Sequence, residues 1–207
     1  MLSNRLAKHF GAAAAAAVVV GSANAAIVWS GAVNIEIAST TNGLYLNVIT
    51  GANNMPGSTG GATVPGWDIN PWSSSTLNFF NPTSPTGGVY VRTSAAVAGV
   101  SNLAVGTVIG ANSLYTSGVA QTTGSNPFNL NSSNNIVGFR FLNEATNTVH
   151  YGWFRVSLAG TLAAQPRALV EYAYESDAGV AIAAGAIPAP GAIALLGLAG
   201  LAGRRRR

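Results

Sequence analysis

The chain has 207 residues, of which 48% are hydrophobic and only 8% charged, with a formal net charge of +4 and no cysteine. The length predicts one domain, the composition excludes disorder of the charged kind, and the missing cysteine excludes a disulfide framework, a thiolate zinc site and a cysteine nucleophile. Glycine, at 25 residues, is well above its usual share of about 7% and favours turns and short strands over long helices.

The first 25 residues read as an export signal. Arg5, Lys8 and His9 precede an apolar run from Phe10 to Gly21, and Ala23-Asn24-Ala25 follows it. Basic start, short apolar run and small-residue exit are the three parts of a secretory signal peptide. Cleavage by signal peptidase is expected between Ala25 and Ala26. The run is too short for a membrane anchor, which needs roughly 20 apolar residues.

From Ala26 the chain reads as strands separated by turn-rich segments. Ala32–Ala38 alternates, with Val33, Ile35 and Ile37 predicted on one face. Leu44–Ile49 places Leu44, Leu46 and Val48 together. Leu77–Phe80, Val89–Thr93 and Val105–Ile109 are shorter runs. Ile136–Leu142 and Thr148–Leu158 flank Asn143–Asn147, a good hairpin connection. Ala168–Tyr174 follows, with Val180–Ala183 as a further strand. Thr50–Gly66, Asn81–Gly88 and Thr116–Asn135, rich in Gly, Ser, Asn and Pro, read as long loops. A short helix has room only at Ala95–Val100.

The hairpin is the expected centre of the core. Phe139 and Phe141 share a side; on the second strand Val149, Tyr151 and Trp153 share one side and Phe154, Val156 and Leu158 the other. Apolar residues on both faces around Gly152 predict a central strand with a bulge or a close contact at the glycine. Short strands with frequent punctuation predict an all-β fold, a single β-sandwich or jelly roll spanning residues 26–185.

Residues 186–207 form a second label. Pro188-Ala189-Pro190 is followed by Ala192–Gly203, which is uncharged and built from Ala, Leu, Ile and Gly, and then by Arg204, Arg205, Arg206 and Arg207. As a helix the twelve apolar residues reach about 18 Å, and 18 residues from Ala186 reach about 27 Å, close to the ~30 Å hydrocarbon core. The arginines favour a cytoplasmic end and can snorkel to the headgroups. With both labels set aside, the body holds four arginines (Arg92, Arg140, Arg155, Arg167) against six acids, a net charge of −2 with no lysine. The basic balance belongs to the labels, and no basic face remains for nucleic acid.

The three-part tail resembles the PEP-CTERM sorting signal of Gram-negative bacteria, with Ala189 where that family usually has Glu. The resemblance implies an exosortase-type enzyme in the inner membrane that recognises and removes the tail. It also implies transient inner-membrane tethering, then delivery to the cell surface or extracellular matrix. The body is similar to exported proteins with the same tail, through Gly66-Trp67-Asp68-Ile69-Asn70-Pro71-Trp72, Gly106–Gly110, Val137–Phe141, His150-Tyr151-Gly152-Trp153 and Val170–Tyr174. That likeness implies an extracytoplasmic β-rich module and transfers no catalytic residues.

The search for chemistry yields little. His150 is the one histidine of the body and lies in a strand; no Gly-x-Ser-x-Gly elbow accompanies it. Calcium has Glu175-Ser176-Asp177 and Asp68 with Asn70 as oxygen donors, without EF-hand spacing. No pair of the six acids stands out for glycoside hydrolysis. No catalytic, cofactor or metal residues are therefore assigned. Trp67 and Trp72, beside Asp68 and Asn70, are the candidate glycan contacts, and Tyr172 with Tyr174 offers a second stacking face. The expectation is a non-catalytic surface or matrix component among extracellular polysaccharide. The alternatives are a lectin-like carbohydrate-binding module and a secreted hydrolase.

Overall fold

The computed structural model describes residues 26–188. The expected signal peptide, the motif from Ala189 onward, the apolar segment and the four arginines lie outside the described residues. Among the described residues no helix is long and apolar enough to cross a membrane.

The fold is antiparallel and nearly all β. Among the described residues twelve strands run in chain order: β1 (Ile27–Trp29), β2 (Ile35–Glu36), β3 (Asn70–Trp72), β4 (Asn78–Phe80), β5 (Tyr90–Arg92), β6 (Val108–Ile109), β7 (Leu114–Thr116), β8 (Gly118–Val119), β9 (Ser132–Asn143), β10 (Thr148–Leu158), β11 (Ala168–Glu175) and β12 (Ile182–Ala183). The main sheet has the order β1-β11-β10-β9-β5-β7, with β2 also on β11; β3-β4-β8 and β12-β6 form two small sheets.

The hairpin β9–β10 is the spine, as its apolar pattern predicts. One face of it carries Phe139, Phe141, Phe154, Val156 and Leu158 into a core shared with Phe79 and Leu77, and with Leu44, Leu46 and Val48. The other face carries Ile136, Tyr151 and Trp153 into a second core closed by Ile109 and Ile182 of the β6–β12 pair. Trp153 is fully buried, and its Nε1 donates to the Ala186 carbonyl at 2.9 Å. The expected close contact falls at Gly152, where a Cβ would meet Phe139 Cζ at 2.6 Å and the Ala173 carbonyl oxygen at 2.7 Å. The register irregularities of β10 come later, at Arg155/Val156 against β11 and at Val156/Leu158 against β9.

Several expectations need correction. Val33 does not share a face with Ile35 and Ile37: Val33 and Asn34 both donate to the Val170 carbonyl, Asn34 takes a φ of 48°, and Val33 is left exposed. Two residues opposing one is a bulge, and it reverses the alternation. Leu44, Leu46 and Val48 point inward as predicted, but their segment makes only isolated bridges, at Leu46 with Asn53 and with Ile69. Residues 95–100 form no helix; among the described residues the one 3-10 turn is Gly61–Thr63. The segment 116–135, expected as a loop, holds β8 and the start of β9.

Candidate functional site

Much of the structure around Trp67 is held by asparagine side chains rather than by strand ladders. Asn47 Nδ2 donates to the Gly66 carbonyl at 2.7 Å, while its Oδ1 accepts from the amides of Ile49 and Thr50. Asn54 Oδ1 accepts from the Tyr45 amide at 2.8 Å, and its Nδ2 donates to the Thr59 carbonyl at 2.6 Å. Asn70 Nδ2 donates to the carbonyls of Asn42 and Leu44, and its amide donates to the Tyr90 hydroxyl at 2.8 Å. An amide side chain offers both a donor and an acceptor, so it can replace the ladder bonds an irregular segment lacks.

This framework sets an aromatic strip on the outer side of β3–β4. Trp67 is half-buried, edge-on to Tyr45 (centroids 4.8 Å apart, planes at 77°) and stacked on Phe80 (6.0 Å, 20°). Phe80 is 53% exposed. Its neighbour Phe79 points the other way, into the core, where it packs on Tyr90 and Phe154. Trp72, also half-buried, pairs with Asn78 across β3–β4. Phe80 and Trp72 line one concavity of about 280 Å³ together with Asn78, Asn81 and Ser117. No charged side chain lines it.

Asp68 and Asn70, expected beside the tryptophans as sugar-hydroxyl partners, are buried instead, although Asn70 pairs with Phe80 across β3–β4. Asn70 is 1% exposed and spends its side chain on backbone. Asp68 is 2% exposed, and its Oδ2 accepts from the Val48 amide at 2.7 Å. Burial pushes its carboxyl up to about 8, with the nearby Glu144 charge adding to the rise. Tyr172 and Tyr174, the other proposed stacking pair, belong to the main core; Tyr174 stands edge-on to Phe141 at 5.3 Å. Burial raises both phenols above their ordinary value.

The remaining candidates are likewise tied into the fold. His150 stacks on Phe141, with Nδ1 bonded to the Glu175 carbonyl at 2.9 Å and Nε2 to the Thr148 hydroxyl at 3.0 Å. Glu175 is buried and bonds the Asp177 amide. Among the described residues no three His, Cys, Asp or Glu side chains converge as a metal site.

Phe80 and Tyr45 were not singled out by the sequence reading. The signal for Phe80 was present: with Leu77 and Phe79 inward, a strand over 78–80 sends Phe80 outward. Tyr45, between inward-facing Leu44 and Leu46, was readable in the same way. No protein-family model, curated protein or solved structure matches this chain.

Proposed function

We propose that this is an exported, non-catalytic protein of the bacterial surface or extracellular matrix, cut by signal peptidase and sorted through the PEP-CTERM-like tail by an exosortase-type enzyme. The observation that carries the reading is where the fold sits between the two labels. β1 opens at Ile27, two residues after Ala25, and the Trp153–Ala186 bond is made two residues before Pro188. A chain of about 160 residues between two removable labels is long enough for one well-buried core. We read the packing of β3-β4-β8 over the main sheet as a β-sandwich. Fractionation with mass analysis of both ends, in cells with and without the exosortase, tests the proposal. A start at Ala26 and an enzyme-dependent loss of the tail are expected. An intact Met1, or full-length chain in the cell interior, overturns it.

A second reading, a carbohydrate-binding module of the matrix, is favoured by the exposure of Phe80 beside Trp67 and Trp72. An uncharged concavity floored by aromatic rings and edged by amides and a hydroxyl suits a neutral polysaccharide. Glycan-array binding lost in both Phe80→Ala and Trp72→Ala supports it; no binding by the folded wild type removes it.

A further inference from the structure

Val105 and Val108 are the two most exposed large apolar residues of the body, at 70% and 67%. Val105 is held at the apex of a tight turn: the Thr107 amide donates to the Ala104 carbonyl at 3.1 Å, and Gly106 takes a φ of 87°. Such an apex is ordinarily polar. The position contributes nothing to the core, so packing does not explain a valine there.

This turn lies beside the chain's exit from the fold. The Gly106 amide donates to the Ala184 carbonyl, the Ala184 amide donates to the Thr107 carbonyl, and Ala183 pairs with Val108. A Cβ built on Gly185 would lie 3.5 Å from Val105 Cγ1. Ile187, two residues on, is 49% exposed. The chain contributing the face is also free of charge: no Asp, Glu, Lys, Arg or His occurs between Arg92 and Arg140, or between Asp177 and Arg204.

We propose that Val105, Val108 and Ile187 form a membrane-resting face, inserted among the headgroups while the tail holds the body at the bilayer. The inference rests on the reading of the tail as a membrane segment. Only Pro188–Gly191 separates Ile187 from Ala192, and the five steps between those two residues span at most about 18 Å. The headgroup layer takes roughly 6 Å of that. The face around Ile187 is therefore pressed against the lipid surface. A charged face would resist this through desolvation; the segments that carry Val105, Val108 and Ile187 hold no ionisable side chain, and Arg92, which lines the same concavity as Val108, is half-buried.

The absence of cysteine makes the test direct. Single Val105→Cys, Val108→Cys, Ala145→Cys and Leu196→Cys variants of the full chain are labelled with an environment-sensitive fluorophore and reconstituted into phosphatidylcholine vesicles. Ala145 is exposed in the β9–β10 turn, more than about 23 Å along β9 from Ile136, whose Cδ1 lies beside Gly185. The proposal expects labels at 105 and 108 to shift to the blue and to be quenched by shallow spin-labelled lipid, with the label at 145 unaffected. Labels at 105 and 108 as wet as that at 145, with Leu196 protected, overturn the proposal and leave the tail reading standing. A label at Leu196 that also stays in water overturns both. Protection of 105 and 108 that appears only when an exosortase is co-reconstituted makes the face an enzyme-docking surface and overturns the lipid assignment.

Discussion

Gly152 of β10 stands directly opposite Phe139 of β9, and the Phe139 ring occupies the space a side chain at 152 would need. The same exchange occurs one residue along on the other face: Gly138 pairs with Trp153, and a Cβ at 138 would meet Leu103, Ile109 and Val91 at 2.8–2.9 Å. Two glycines in adjacent pairs let aromatic and branched residues cross the central strands on both sides.

Gly152→Ala is expected to lower stability by about 1–3 kcal/mol, the usual cost of overpacking a filled core. The methyl group meets the Ala173 carbonyl as well as a ring, so rotation of Phe139 alone does not relieve it. Urea denaturation of the two proteins measures the difference; equal midpoints contradict the packing described.

Trp153→Ala is expected to cost about 3–5 kcal/mol through the cavity it leaves. Trp153→Phe keeps most of the ring volume and removes the bond to the Ala186 carbonyl. It should cost about 1 kcal/mol by loss of that bond. Hydrogen exchange should show the loss concentrated at residues 182–187, where the last segment is pinned to the sheet.

Arg167 is 1% exposed and, among the described residues, pairs with no carboxylate. Its guanidinium donates to five backbone carbonyls, those of Ile37, Ala38, Ser73, Thr76 and Leu162. Burial lowers its pKa to about 10. One side chain thus ties the segments 37–38, 73–76 and 162 to β11. Arg167→Leu leaves those carbonyls without their shared donor and should cost at least about 3–5 kcal/mol, on the scale of breaking a buried charged network. Arg167→Lys, with three donors instead of five, should recover only part of this. Thermal melts of both variants check the ordering.

The carboxyl of Asp68 holds its proton up to about pH 8 in the folded chain, against an ordinary 3.8. Between those values the folded state binds more protons than the unfolded one, so this group makes stability fall as pH rises from about 4 to about 8 and adds no further slope above. The fall is on the order of a few kcal/mol. Asp68→Asn cannot ionise and should remove that slope, leaving the variant more stable than wild type at pH 8. Denaturant midpoints at pH 5 and pH 8 decide it; parallel losses in the two proteins contradict the assignment. The neighbouring charge is Glu144, so Glu144→Gln should narrow the window from its upper end.

The β9–β10 hairpin was legible in the sequence because two-residue periodicity is a local property. Apolar residues on both faces of 148–158 dictate a strand buried on both sides, whatever its neighbours. The all-β class followed for the same reason. The short strands β1, β3, β7 and β8 were not legible. Segments of two or three residues carry no period, and they are strands only because a partner is present to bond them.

The candidate site divides in the same way. That Trp67 and Trp72 fall within one Gly/Pro/Asn-rich stretch was readable from their spacing. That Phe80 and Tyr45 complete the strip, and that Asp68 and Asn70 are buried and bonded to backbone, was decided by the tertiary structure. The abundance of asparagine read as a polar surface, yet Asn47, Asn54, Asn70 and Asn135 are buried. A polar side chain needs a hydrogen-bond partner but does not specify whether water or backbone supplies it. Sequence alone marks which long segments must bury an apolar face, because water disfavours that surface wherever it lies. Only the assembled chain decides where Arg167 finds five carbonyls and Asp68 its single amide, because those partners come from segments far apart along the chain.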